Sequence, residues 1–456
     1  MSRNGLTIAA IATNTGGGAV SIVRLSGLQA HDVFQRVFSP LGGFNKMRPR
    51  RAVLGRVIDP ESGALIDEAL GLWFPGPQSF TGEDAAEIQG HGGTAAPALI
   101  LEALLKAGAV LAEPGEFTRR AFMNGRLDLT QAEAVADLVA AGSAAEVSLA
   151  ARQLAGGLSG RIKPVHQAIL SALVDLEAAI DFSEDVEPLQ IAPMKEALLS
   201  RAVEPLERLL ADGLAGRPFK NGLSLALIGA PNVGKSSLFN ALAGADRAMV
   251  SNRPGTTRDF ITTSAAWQGL RVELCDTAGL SDAPVDELDA LGQERARAQA
   301  GQADIALWVR DCAKPGETLP AADEAGLKGR LITVWNKMDL AAPPDDLLGR
   351  ETGRSIAVSA RTGQGLEELK AMILRAATGR EEPSPPEIVP SLRHQAAIKK
   401  SLEALRATVE AIEQGQPPDI CAFELKYSLD ALDLICGRTS PDDLLNEIFS
   451  RFCLGK

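Results

Sequence analysis

Aromatic side chains are scarce: Phe, Trp and Tyr together make up 4% of the 456 residues, and there is a single tyrosine. Alanine and leucine are abundant instead, which points to a helix-rich architecture. Cysteine is sparse as well. Cys275, Cys312, Cys421, Cys436 and Cys453 are scattered, and none forms a Cys-x-x-Cys pair. An odd number at wide spacing argues against a disulfide framework and against a zinc site. The four histidines stand apart from one another. No apolar run reaches the ~20 residues that cross a bilayer. The opening MSRNGLTIAA lacks the basic-then-apolar order of a secretory signal. No membrane association and a cytoplasmic location are therefore expected. An excess of basic residues is missing too: 46 Lys and Arg against 58 Asp and Glu give a net charge of −12. A dedicated nonspecific nucleic-acid binder is usually basic. Any RNA contact here has to use a local basic patch or be shared with a partner.

Hydrophobic residues, at 45%, supply ample core material, and the length predicts two to four domains. Residues 1–124 mix short β-like runs, Thr7–Ala12, Val20–Leu25 and Ala69–Phe74, with Gly and Pro, an α+β pattern. Residues 125–217 read as helical. Thr130 with Glu133 has the spacing of a capping box, Pro164 permits a new helix start, and Ile169–Ile180 is amphipathic. Residues 218–379 alternate β-branched runs with helical segments. The runs are Leu223–Ile228, Val272–Leu274, Ile305–Val309, Leu331–Trp335 and Ile356–Val358, and they imply a mainly parallel sheet covered by helices. The Pro-rich stretch 381–390 is a linker. In residues 380–456, Ile398, Leu402, Leu405, Val409 and Ile412 form one helical seam. Ser440-Pro441-Asp442-Asp443 has the pattern of a helix start. The simplest arrangement is an α/β nucleotide-binding domain inserted into a split all-α domain, behind an α+β domain.

The strongest chemical signal is Gly229-Ala-Pro-Asn-Val-Gly234-Lys235-Ser236, which matches G-x-x-x-x-G-K-S/T between a strand and a helical run starting at Ser237. Its amides, including those of Asn232, Val233 and Gly234, suit phosphate binding. Lys235 neutralises the outer phosphates and Ser236 ligates Mg²⁺. Asp276-Thr277-Ala278-Gly279 ends a strand; Asp276 is placed to hold Mg²⁺ through water, and the Gly279 amide to sense the γ-phosphate. Asn336-Lys337-Met338-Asp339 follows another strand. Asp339 accepts the two donors of guanine, and adenine would leave that carboxylate unpaired. Ser359-Ala360-Arg361 adds a base contact through the Ala360 amide. Four motifs in this order and spacing point to GTP rather than ATP.

Between them, the segment Ser251 to Asp259 supplies Thr257 as a Mg²⁺ ligand that lets go after hydrolysis. The position after Gly279 is Leu280, which cannot orient a water as the glutamine of Ras-type enzymes does. Asn232 and the Gly-Thr-Thr segment suggest a second cation, K⁺, against the phosphates; a plain turn is the alternative reading of Asn232. Gly16-Gly17-Gly18 precedes a β-like run rather than a helix. It is not a dinucleotide fingerprint, so no flavin is expected on this chain.

The whole chain resembles the tRNA-modifying GTPase family MnmE (TrmE). The resemblance rests on Phe80-Thr-Gly-Glu-Asp84, Gln89-Gly-His-Gly-Gly93, Pro114-Gly-Glu-Phe117, Leu127-Asp-Leu-Thr-Gln-Ala-Glu-Ala134, the GTPase set and the terminal Cys453-Leu-Gly-Lys456. It implies a tetrahydrofolate-binding, dimerising N-terminal domain, a split helical domain and an inserted Ras-like domain. It implies a 5,10-methylene or 5-formyl tetrahydrofolate, contacted at Arg24, Glu87, Arg126 and Lys456; surface charge is the alternative for each. It matches Asn232, Ser251, Thr256 and the backbone near Arg253 to a K⁺ loop. Where the family orients water with Glu, alignment on Gly292 places Asp289, shorter by roughly 1.5 Å; Glu287 is the alternative. The implied function is modification of wobble uridine at C5 in tRNA. The implied assembly is a homodimer joined to the flavoprotein MnmG (GidA) as a heterotetramer. The rival expectation, a ribosome-assembly GTPase of Era/Der type, calls for an appended RNA-binding module and a basic surface, and neither is seen.

Overall fold

The computed structural model describes residues 5–14, 18–41, 48–181, 191–244, 261–276, 301–316, 326–327, 329–342, 354–381, 384–439, 441–453 and 455–456. They fall into two compact units. One comprises 1–139, 153–195 and 403–456, and the other 140–152 and 196–402.

The first unit begins with a seven-stranded sheet in the order β3-β4-β5-β6-β2-β1-β7. Its strands are β1 (Ile8–Ile11), β2 (Val20–Ser26), β3 (Phe38–Pro40), β4 (Val53–Ile58), β5 (Leu65–Phe74), β6 (Ala85–His91) and β7 (Val110–Leu111). All neighbours run antiparallel except β1 and β7. Alternation dictates the layering. Val23, Leu25, Ala86 and Ile88 are buried under helices α1 (Ala30–Val37) and α2 (Ala95–Lys106), which contribute Phe34, Ile100 and Leu104.

Helix α3 (Glu116–Met123) leads into the helical part of this unit, which contains α4 (Leu129–Ala140), α6 (Gly157–Asp181), α12 (Pro418–Cys436) and α13 (Asp442–Ser450). The cap of α4 is Asp128, not Thr130. Asp128 Oδ1 accepts the Gln131 amide at 2.9 Å, and Gln131 Oε1 accepts the Asp128 amide at 3.0 Å. That is a reciprocal capping box two residues earlier than the Thr130–Glu133 pattern, favoured because a carboxylate is the stronger acceptor at the positive helix end. Pro164 does not open a helix; α6 runs through it. The reason is an unbroken buried seam, Leu158, Ile162, Val165, Ile169, Ala172 and Leu176, stepping by 4, 3, 4, 3 and 4 across the proline. Packing of that seam outweighs the lost hydrogen bond. Ser440 lies outside the described residues, and Pro441 stands just before α13 rather than in its first turn.

The second unit holds a six-stranded sheet ordered β13-β12-β11-β8-β10-β9. The strands are β8 (Leu223–Ile228), β9 (Ile261–Trp267), β10 (Leu270–Asp276), β11 (Ile305–Asp311), β12 (Leu331–Asn336) and β13 (Ser355–Ala357). Only β9 runs antiparallel, to β10. Central strands buried on both faces read as continuous apolar runs, which is why the sequence shows them so clearly. Helices α9 (Lys235–Ala243) and α10 (Leu366–Thr378) pack on the sheet through Leu238, Phe239, Leu242, Leu369 and Ile373. The remaining helices are α5 (Ala144–Leu154), α7 (Ile191–Leu198), α8 (Glu204–Asn221) and α11 (Leu392–Glu413), with a π-helical turn at Leu199–Val203. In α11, Ile398, Leu402 and Leu405 of the predicted seam are buried.

Candidate nucleotide site

Strand β8 is hydrogen-bonded to β10 on one side and β11 on the other, so the sheet reverses direction of winding at its C-terminal edge. Ligands of open α/β sheets bind at such an edge. The phosphate loop begins there. Gly229 has φ +148° and lies so close to β11 that a Cβ would come 2.3 Å from the Val309 carbonyl. Asn232 has φ +65° and Gly234 φ +96°. Left-handed residues turn successive amides to one side, and α9 follows at once, so the loop forms an anion cradle at a helix N-terminus. Lys235 is buried, and its Nζ donates to the Gly229 carbonyl at 2.9 Å and the Ala230 carbonyl at 2.8 Å. The ammonium therefore sits inside the loop. Ser236 and Ser237 occupy the first turn of α9.

The base-recognition segments come to the same edge. Asn336 ends β12 and is buried. Its Nδ2 donates to the Val233 carbonyl at 3.1 Å and its Oδ1 accepts the Ala360 amide at 3.1 Å. One amide side chain thus joins three of the predicted segments. Lys337, with φ +67°, donates from Nζ to the Asn232 carbonyl at 2.8 Å. Asp339 Oδ1 accepts the Ser359 hydroxyl at 2.7 Å, which aims the carboxylate, and the Thr362 amide donates to Ser359 Oγ. Arg361 follows Ala360 in that loop. Asp276 is the last residue of β10, in register with Leu227 of β8. Ser251, Arg253, Thr256, Thr257, Thr277, Ala278, Gly279 and Asp289 lie outside the described residues.

Sequence reading missed Asp311. It ends β11, a strand whose seven residues are all buried. Asp311 Oδ2 meets Lys337 Nζ at 2.6 Å, and Oδ1 accepts the Ala313 amide at 2.9 Å. Burial works against its charge, but the Lys337 hydrogen bond, the Ala313 amide and the Lys337 and Lys314 charges outweigh it, and the carboxyl stays below the usual range. Next to it, the Arg310 guanidinium lies between the rings of Trp308 and Trp335, at 4.3 and 4.0 Å, and donates to the Pro315 carbonyl. The visible signal was an ionic pair, Arg-Asp, closing an apolar strand.

Four residues of the first unit carry the other prediction. Arg24 Nε and Glu87 Oε1 form an ion pair at 2.9 Å across β2 and β6, and the guanidinium is 5.8 Å from the rings of both Phe80 and Phe117. Arg126 Nε donates to the Ser79 carbonyl at 3.1 Å. The tail ending in Lys456 is held at β1, where a Cβ on Gly455 would come 2.4 Å from the Ile11 carbonyl. Ala10 of β1 pairs with Arg24.

The lysine-bearing phosphate loop, with an Asn–Lys–x–Asp loop locked to it by side-chain hydrogen bonds, defines a guanine-nucleotide P-loop protein, a GTPase. Residues 129–453 match the family described as MnmE helical domain, and residues 7–126 match GTP-binding protein TrmE N-terminus. The chain is 42% identical over 460 residues to a tRNA modification GTPase MnmE of Chloroflexus aurantiacus, and 41% identical over 465 residues to that of Moorella thermoacetica, covering 99% of each partner in both comparisons. Among solved structures, Era of Aquifex aeolicus is 27% identical, over 40% of this chain and 66% of Era, with a TM-score of 0.28. The chain belongs to the MnmE family of tRNA modification GTPases.

Proposed function

We propose that the chain couples GTP hydrolysis to modification of the C5 position of wobble uridine in tRNA, acting as a homodimer with a flavoprotein partner of the MnmG type. The observation that carries this reading is the full-length likeness to tRNA modification GTPases, joined to a preformed guanine site. In this reading Lys235 and the loop amides bind the phosphates, Asp339 reads the base, and Asp289 orients the attacking water. Ser236 and Thr257 would hold Mg²⁺, and Asn232, Ser251, Thr256 and the backbone at Arg253 would hold K⁺. Both ions add positive charge where negative charge develops on the phosphates. Lys235, held by the Gly229 and Ala230 carbonyls, and Ser236 on the first helical turn suit a phosphate group with a cation bound to it.

The N-terminal sheet fits a tetrahydrofolate as well. A guanidinium paired to a carboxylate, with the exposed Phe80 ring beside it, offers donors, an acceptor and an apolar face to a flat polar heterocycle. Arg24, Glu87, Arg126 and Lys456 would hold it, and the group would supply the one-carbon unit. Modified nucleosides in tRNA from cells lacking the gene, with and without a plasmid copy, test the function. C5-substituted wobble uridines return with the copy if it holds, and the reading fails if they never depend on it. The K⁺ role has its own test: hydrolysis several-fold faster in KCl than in NaCl at equal ionic strength, with equal rates contradicting it.

A further inference from the structure

The motif Gln89-Gly-His-Gly-Gly93, just past Glu87 on β6, takes no part in the nucleotide site, and its residues have no task in the N-terminal sheet described so far. The structure gives it one. His91 ends β6 with its ring 77% exposed, while its partner Asp67 on β5 is 8% exposed. His91 Nδ1 lies 2.7 Å from Asp67 Oδ1, and the His91 backbone amide donates to Asp67 Oδ2 at 2.8 Å. The carboxylate thus grips the same residue twice. The Ser21 hydroxyl donates to the His91 carbonyl at 2.8 Å and fixes it a third time.

The flanking glycines belong to this arrangement. A Cβ on Gly90 would stand 2.5 Å from Asp67 Oδ2, and one on Gly92 would stand 1.8 Å from the Gly18 carbonyl. Glycine weakens strand ends, and an ion pair with one exposed partner contributes little to stability. Gly92 lets the chain approach the Gly18–Ala19 backbone, to which its amide donates, while Gly90 leaves room for the Asp67 carboxylate that holds the imidazole in one orientation. A carboxylate on Nδ1 places the proton there and turns the Nε2 lone pair outward to solvent. That is the arrangement of a general base with its orienting group.

We propose that Asp67 and His91 form a proton-transfer dyad, with Nε2 taking a proton from the ammonium form of the amine that is joined to the one-carbon unit. This rests on the C5 chemistry proposed above. The N–H bond of the ammonium breaks and an Nε2–H bond forms. The positive charge moves to the imidazolium, where Asp67 balances it, and the amine keeps the electron pair it needs to attack carbon. His91 is the group that meets the amine, and Asp67 is a positioning residue. By strand parity His91 shares a face of β6 with Gln89 and Glu87, and it lies four positions along the strand from Glu87, about 13 Å.

The test is tRNA modification reconstituted from the full chain, the flavoprotein, a folate and ammonium chloride. His91→Ala should lower the modification rate about a hundredfold or more, leave the GTPase rate at the wild-type value, and recover at least about tenfold on addition of imidazole. Asp67→Asn should also slow modification, and the His91→Ala/Asp67→Asn pair should be no slower than His91→Ala alone. An unchanged rate in His91→Ala, or a loss that imidazole does not restore, would overturn the dyad. Failure of the wild-type chain to modify tRNA at all would instead defeat the functional reading beneath it.

Discussion

Asp311 shows how much depends on one side chain at this site. It fixes Lys337, and Lys337 fixes the Asn232 carbonyl in the middle of the phosphate loop. Asp311→Asn keeps the shape and removes the charge. Nucleotide affinity should fall about tenfold, the scale of one charge-assisted hydrogen bond. Fluorescent GDP titration measures it, and adding Asp311→Asn to Lys337→Ala should cost nothing further if the two act as one unit. The sign of the pH dependence follows from the depressed carboxyl. The contribution of Asp311 is present above its unfolded value and is lost as pH falls through its lower folded one. At the base end, Asp339→Asn should turn preference from GTP toward xanthosine triphosphate by a hundredfold or more, because the exchanged donor and acceptor then match the other purine. Initial rates with each nucleotide decide it. The thiols differ for a plainer reason. Burial pushes the Cys312 and Cys421 thiols up, while Cys453 is exposed. In the native chain a thiol reagent should reach Cys453 well before those two.

Elements explain why the nucleotide motifs were readable and the rest less so. A phosphate loop is dictated by local backbone geometry, so its glycines announce themselves; Gly234 has φ +96° and approaches Asn336 so closely that a Cβ would meet Nδ2 at 2.4 Å. Gly234→Ala should cut nucleotide affinity at least tenfold with the overall fold kept, read by the same titration alongside circular dichroism. The strands β8, β11 and β12 were legible because burial on both faces makes them continuously apolar. Helix limits were not, since they turn on tertiary packing. Thr130 offered a plausible cap, yet Asp128 two residues earlier does the capping, and the seam through Ile162 and Val165 carries α6 past Pro164. Asp128→Ala should destabilise the first unit by about 1 kcal/mol in urea unfolding. Asp311 and Asp67 were invisible for a related reason. Their partners are 26 and 24 residues away, on other strands or loops, and no local pattern marks the pairing.

For the whole molecule, a net charge of −12 sits with a function on tRNA if the contact uses a local basic patch or is shared with a partner. The family relation covers both units, the N-terminal sheet and the guanine site alike. We propose that hydrolysis at Lys235 drives wobble-uridine modification. It is tested most directly by mass spectrometry of tRNA nucleosides from cells lacking the gene and carrying either the wild-type chain or Lys235→Ala. C5-substituted wobble uridines are expected with the first and none with the second. Full modification supported by Lys235→Ala, with its GTPase activity gone, would contradict it.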